Sequence, residues 1–276
     1  MRYLLGVDFG GGSSKATLLS EEGQIVASGT EEYPMLYPQN GWAEQNMEDL
    51  FDAFVKNIRK TLEKSGVNPK DITAMTLCGG THIAVLLDEN NQVIRPAIYW
   101  ADSRSVEEAQ ELMPIKEEIK ELSYNYPSPI WTLPQLMWIR KHEPENYKRI
   151  AKIIFLKDYI RYRITGKMAT DSIEIMGAML RDERKRDWSN KLLNLCGLSR
   201  EQMPEVLEPP YLVGNLTPEI CKETGLSQNT LVAVGATDTV MEVYASGNIK
   251  TGNTTIKLPL QGGYVRLQIV HILTGN

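Results

Sequence analysis

Apolar residues alternate with small or polar ones from Tyr3 to Val7, from Lys15 to Leu19 and from Ile25 to Glu32. Alternation with a period of two places one set of side chains on a buried face, so each run predicts a strand. The glycines Gly10, Gly11 and Gly12 and the turn Glu21-Glu22-Gly23 separate these runs. Three strands joined by tight turns predict an antiparallel meander. The period then changes. Leu50, Phe54, Ile58 and Leu62 recur on one helical face that stops at Gly66, with Asn46 placed to cap the start and Asp49 three residues on. Ile72–Leu77 reads as a buried strand, and a strand reached through a helix usually pairs in parallel with an earlier one. Ala84–Leu87 and Val93–Ile98 predict a hairpin around "DENN". The order β-β-β-α-β predicts an α/β protein with a mixed sheet and flanking helices.

Helical spacing dominates the middle of the chain, over Val106–Leu122, Leu133–His142, Lys157–Arg163 and Asp187–Leu195. Proline-rich stretches, "YNYPSPIWTLP" and "EPPYLVGNLTP", read as connections. Thr230–Val234 predicts a strand, "GATDT" a turn and Thr239–Ser246 a helix. The chain has no internal repeat or low-complexity segment.

Composition narrows the class. With 276 residues, 42% hydrophobic and 24% charged, the chain can bury a sizeable core in one or two domains. A net charge of −5 offers no general attraction to nucleic acid or an anionic membrane, and neither is expected as a partner. The apolar runs are too short to span a bilayer, and the start reads as a strand rather than a signal peptide. Three scattered cysteines, Cys78, Cys196 and Cys221, lack metal-ligand spacing and suit a reducing, cytoplasmic setting.

Candidate chemistry begins at "DFGGGSSKATLL". A turn of small residues exposes backbone N–H groups to an anion, Ser13 and Ser14 add hydroxyls, and Lys15 adds charge. Asp8 stands at a strand end, where a carboxylate can hold a hydrated Mg²⁺ beside phosphate oxygens. A plain glycine hairpin with Asp8 capping its turn explains the same residues. A strand follows the turn, which excludes a Walker loop. Two more carboxylates stand after strands, Asp102 in "IYWADSRS" beside Trp100 and Arg104, and Asp238 in "VAVGATDTVMEV". Each also reads as a local cap, but strand ends of a parallel sheet line one crevice, where distant acids can meet. His82 in "LCGGTHIAVLLDE" can donate to a substrate hydroxyl or serve as a structural histidine. His142 reads as a solvated helix end, and Trp131 and Trp138 as core. No zinc spacing or Ser–His–Asp pattern is present.

These segments together resemble the FGGY family of carbohydrate kinases, in its xylulokinase-like branch. "DFGGGSSKATLL" is similar to the family's first phosphate motif and "GGTHIAVLLDENNQVIRPAIYWADSRS" to its sugar segment. "SPIWTLPQLMWIRKHEPE", with Gln135 where lysine is usual, "FLKDYIRYRITGKMATD" and "VAVGATDTVMEVYASG" also match, in the family's order. The resemblance implies an actin-like ATPase, ribonuclease H-like fold of two domains, and phosphoryl transfer from ATP to a sugar hydroxyl. It implies Asp238 as catalytic base and Asp8 as the Mg²⁺-associated acid. It places Gly10, Gly11, Gly12, Ser13 and Lys15 at the phosphates, and Thr81, His82, Trp100 and, with less support, Asp102 at a sugar or polyol such as xylulose.

Besides Gln135, the sequence departs from the family in two places. Gly11 and Gly12 stand where threonine is common, and nothing after Lys257 matches the family. We therefore expect residues 1–257 to be the sugar-binding N-terminal domain and 258–276 a non-family tail. We expect the ATP-binding domain to be absent, and with it the domain closure that excludes water and assembles the site. That expectation implies little activity for this chain alone and an apolar surface suited to a homodimer. A non-catalytic sugar-binding or assembly module of the same fold is the main alternative. An actin-like filament or chaperone-type ATPase shares the opening motif but not "YWADSRS".

Overall fold

The alternation of the first thirty residues becomes three consecutive strands, β1 (Tyr3–Phe9), β2 (Ser13–Ser20) and β3 (Ile25–Glu32). Successive pairs are antiparallel, with Asp8 directly opposite Lys15 on β2. This computed structural model of the protein describes residues 1–250, 253–257, 260–261, 264–265 and 268–271. A two-residue strand, β4 (Glu44–Gln45), leads into α1 (Met47–Ser65). Asn46 caps α1 by accepting from the Glu48 N–H, and the Gly66 N–H closes it on the Leu62 carbonyl. Leu50, Phe54 and Ile58 of α1 meet Leu5, Val7, Phe9 and Leu18 of the sheet in one buried core. Burial of each such side chain stabilises the fold by about 1.5–3 kcal/mol.

β5 (Ile72–Gly79) lies parallel to β1, as a strand reached through a helix should, and brings Cys78 beside Asp8. With two later strands the sheet has six members in the order β13-β14-β5-β1-β2-β3. Here β13 is Leu212–Asn215 and β14 is Leu231–Ala233, and β14 runs parallel to β5. The expected β-β-β-α-β start and mixed sheet are therefore observed.

Between β5 and β13 the chain builds a second layer with its own core. Its elements are β6 (Ala84–Leu87), β7 (Ala97–Ile98), α2 (Val106–Glu111), α3 (Lys116–Ser123), α4 (Thr132–His142) and α5 (Pro144–Lys148). They continue with β8 (Lys152–Phe155), α6 (Leu156–Thr165), β9 (Ala169–Asp171) and α7 (Glu174–Gly177). The layer closes with β10 (Arg181–Asp182), β11 (Asp187–Trp188), α8 (Asn190–Cys196) and β12 (Glu205–Leu207). Leu133, Leu136, Ile139, Phe155, Trp188 and Leu192 pack at its centre.

Three expectations fail here, each for a local reason. The Val93–Ile98 strand does not form as one piece: Val93 makes an isolated bridge to Leu87, while β7 pairs with β4 and β6 pairs with β8. Pro96 has no N–H to continue a ladder, and Arg95 turns to Glu44 and Glu143 instead. The predicted Val106–Leu122 helix is broken into α2 and α3 at Pro114. The predicted Asp187–Leu195 helix starts late, because Ser189 caps α8 and the two residues before it pair as β11.

The chain divides into Met1–Ala236 and Thr237–Asn276. The first unit ends with α9 (Pro218–Thr224) and β14. The second contains α10 (Asp238–Ala245), β15 (Thr254–Lys257) paired with β18 (Gln268–His271), and the short pair β16 (Leu260–Gln261) and β17 (Tyr264–Val265). Much of the anticipated 258–276 tail lies outside the described residues. Among the described residues no helix is long and apolar enough to cross a membrane.

Candidate active site

The glycine turn joins β1 to β2 and is held by its carbonyl groups. The Gly10 carbonyl accepts from the Tyr33 hydroxyl at 2.6 Å, the Gly11 carbonyl from Gln45 Nε2 at 3.1 Å, and the Gly12 carbonyl from the Tyr33 N–H at 3.0 Å. In a trans peptide the N–H points away from its carbonyl, so these bonds fix the directions of the Gly11, Gly12 and Ser13 N–H groups. A Cβ on Gly11 would stand 3.0 Å from the Tyr99 hydroxyl, a tight approach that the Tyr99 ring would have to relieve. Asp8, half-buried at the end of β1, lies within 3.4 Å of Cys78 Sγ and opposite the exposed Lys15. A hard carboxylate, fixed amides and an ammonium at one strand end are the donor set that a metal-bound phosphate requires, so these residues fit Mg²⁺ and ATP.

A run of contacts leads from this turn to the sugar segment. The Gly80 N–H donates to the Phe9 carbonyl at 3.1 Å, tying the segment to the end of β1. A Cβ on Gly80 would lie 3.7 Å from Trp100 Cδ1, and Tyr99 and Trp100 lie with ring centroids 5.5 Å apart. Thr81 and His82 follow. Thr81 and Trp100 are half-buried, whereas His82 is only 4% exposed and has a positive φ of 50°. The His82 ring lies 5.0 Å from the Trp131 ring, and its Nδ1 is buried with no hydrogen-bond partner. Burial pushes the imidazole down to about 3, so it is neutral near pH 7. A neutral imidazole carries one donor and one acceptor nitrogen.

Asp102 is committed to partners within the protein. Its carboxylate is enclosed, and both oxygens are committed: Oδ2 accepts from the Ala43 N–H at 2.6 Å and Arg104 Nη2 at 2.8 Å, and Oδ1 from the Arg104 N–H and Nε. Arg104 in turn pairs with Glu44 at 2.7 Å and lies 3.8 Å over the Trp42 ring. Asp102 pins a loop and has no lone pair facing a ligand. Asp238 belongs to the second unit, where it opens α10 after the cap residue Thr237 and accepts from the Thr239 N–H at 2.5 Å.

The pattern of the FGGY family of carbohydrate kinases, N-terminal domain, matches residues 3–244. The chain belongs to the FGGY family. It is 34% identical over 260 residues to the xylulose kinase of Escherichia coli K12, covering 94% of this chain and 53% of that protein. It is 30% identical over 263 residues to the xylulose kinase of Bacillus subtilis 168, covering 95% of this chain and 53% of that protein. The crystal structure of a xylulose kinase from Rhodospirillum rubrum superposes with a TM-score of 0.89 at 25% identity, over 94% of this chain and 53% of that one. The chain thus spans about half the length of the relatives it matches, and its fold is the actin-like fold of FGGY sugar kinases.

Sequence reasoning missed a set of buried charges in and just after the FGGY segment "FLKDYIRYRITGKMATD". Lys157 Nζ lies 2.6 Å from Asp158, 2.5 Å from Asp171 and 3.3 Å from Glu174, all fully enclosed. Arg161 pairs with Asp158 at 2.7 Å and donates to the Val234 and Ala169 carbonyls. The three acids bring oxygens within 4.8 Å of one another, as a metal site would, but the Lys157 ammonium already stands among them. Next to the anchored Val234 carbonyl, Gly235 takes φ 79°, and a Cβ there would fall 2.1 Å from the Leu77 carbonyl, so no other residue fits. Trp131, read as core, is half-buried against His82, with its Nε1 donating to the Tyr126 carbonyl at 2.9 Å, while Trp138 is core as expected. Trp131 also packs against the second core, in keeping with its reading as core.

Proposed function

We propose that this chain binds a ketopentose-like sugar such as xylulose and supplies the sugar side of an ATP-dependent sugar kinase. The observation that carries the reading is the unsatisfied, neutral His82 beside Trp131, two residues after Gly80, which lies near Trp100. Aromatic walls with a few placed polar atoms are how proteins hold sugars and other small polar ligands. His82 and Thr81 would exchange hydrogen bonds with hydroxyls, and Trp100 and Trp131 would cover the apolar face of the sugar. The Gly10–Ser13 turn and Lys15 would cradle phosphate, with Asp8 holding the Mg²⁺ water shell. Bound Mg²⁺ would supply charge neutralisation at the transferring phosphoryl group. Asp238 is the proposed base for the hydroxyl proton, on its motif.

Titration calorimetry tests this directly, with xylulose, ribulose, glycerol and gluconate, with and without Mg²⁺-ATP. The wild-type chain should bind a ketopentose, and H82N should lose about tenfold in affinity, the worth of one good hydrogen bond to a hydroxyl. Equal affinity in H82N, or no binding to any of the four, would overturn the reading.

A further inference from the structure

The left-handed backbone at His82 is costly for any residue with a Cβ, and it persists only where the surroundings impose it. Those surroundings come from two helices. Glu174, the first residue of α7, accepts from the His82 N–H through Oε1 at 2.5 Å. Thr132, the first residue of α4, donates its hydroxyl to the His82 carbonyl at 2.6 Å. The imidazole then passes close to the last residue of α7: a Cβ on Gly177 would stand 3.0 Å from His82 Cδ2 and 3.4 Å from Thr81 Oγ1. Trp131 flanks the same ring.

Glu174 is itself fixed. Its N–H donates to Asp171 Oδ1 at 2.9 Å, and its other oxygen, Oε2, lies 3.3 Å from Lys157 Nζ. Lys157 is anchored by Asp158 and Asp171, and all four side chains are fully enclosed. A core that needed only stability would be served as well by apolar side chains of similar volume. What the cluster provides here is direction: Glu174, whose carboxyl burial pushes up to about 8, is enclosed with Oε2 3.3 Å from Lys157 Nζ, which leaves Oε1 on the His82 amide.

We infer that Glu174, oriented by Lys157, is a positioning residue that fixes the backbone of His82 and thereby aims its imidazole at the sugar, with Gly177 leaving the room that the aimed ring requires. The inference rests on the proposed reading of His82 as a sugar contact. It implies that sugar affinity responds to residues that never touch sugar. Gly177→Ala is the sharpest case. Replacing a helical glycine by alanine favours the helix, yet the new methyl must displace the ring by a few tenths of an ångström.

The test is sugar titration calorimetry on the full chain for wild type, E174Q, G177A, H82N and the double variant H82N/E174Q, with the unfolding midpoint of each and the His82 amide signal by NMR. E174Q is isosteric and keeps an acceptor. G177A covers the case in which E174Q folds poorly. The expected result is a loss of sugar affinity of about fivefold or more in both E174Q and G177A. G177A should melt no lower than wild type, the His82 amide should shift in E174Q, and E174Q should add nothing to H82N. Wild-type affinity in both E174Q and G177A, with H82N impaired, overturns the positioning role while leaving the sugar reading intact. Additive losses in the double variant overturn it too, since Glu174 would then act without His82. Wild-type affinity in H82N, or no sugar binding by the wild type, overturns the sugar reading and this inference with it.

Discussion

His82 and Asp102 belong to one stretch of sequence and are both buried, yet the regions around them are built on opposite terms. Around Asp102 every polar atom has found a partner inside the protein: two Arg104 nitrogens, two backbone amides and, through Arg104, Glu44 and the Trp42 ring. Around His82 the backbone is fastened at both the N–H and the carbonyl, while the side-chain Nδ1 is left without a partner. A fully satisfied polar cluster has no capacity left for a ligand, so its role is architecture. A fastened backbone carrying an unsatisfied ring nitrogen beside Trp131 keeps that nitrogen's hydrogen-bonding capacity unused. Buried polar atoms are informative about function mainly through those left unsatisfied.

The largest break in this comparison comes from D102A. Removing the carboxylate leaves the enclosed Arg104 with Glu44 as its remaining carboxylate partner and the Ala43 N–H without an acceptor, which should cost about 3 kcal/mol of stability. Urea unfolding measures the loss, and sugar affinity of the folded fraction should stay at the wild-type value. A D102A chain of native stability would show that the pair is not the pin described here.

A smaller effect separates the regions by pH. The folded pKa of His82 lies near 3, below the ordinary histidine value of 6.5. Between those values the unfolded chain takes up a proton that the folded chain refuses. The contribution of His82 to stability is therefore lost as pH falls below about 6.5, by about 1.4 kcal/mol per unit, or about 2 kcal/mol at pH 5. H82N should lack that share of the acid sensitivity. Unfolding curves for the two proteins at pH 7 and pH 5 give the difference, and parallel losses in both would contradict the buried, neutral imidazole.

The smallest effect concerns Trp131. W131F keeps an aromatic ring beside His82 but removes the Nε1 bond to the Tyr126 carbonyl, which should lower stability by about 1 kcal/mol. Sugar affinity should fall less than in H82N. A larger fall would move the main sugar contact from His82 to Trp131.

The parts of the fold legible in the sequence were those that local chemistry decides. β1, β2, β3 and α1 follow from alternation, turn glycines and the Asn46 cap, and parallel β5 follows from the helix that precedes it. The Val106–Leu122 helix and the Val93–Ile98 strand were misread because Pro114 and Pro96 each override a favourable apolar pattern. The site was legible as a set of residue types but not as a set of states. Whether Asp102 faces a ligand or Arg104 depends on backbone placed by β4 and α2. Lys157, Asp158, Asp171 and Glu174 carry no sign of burial in their spacing, because a charged residue becomes a core residue only once its partners arrive from other elements.

The most direct measurement is a map of backbone and indole ¹H–¹⁵N shifts on addition of a ketopentose to the intact chain. The account predicts that the largest changes fall on Gly80, Thr81, His82, Trp100, Trp131 and Gly177, with Asp102 and Arg104 nearly still. Changes confined to the Asp102–Arg104 loop would contradict it. So would changes confined to the surface groove of about 410 Å³ lined by Phe51, Tyr162, Arg163 and Ile220.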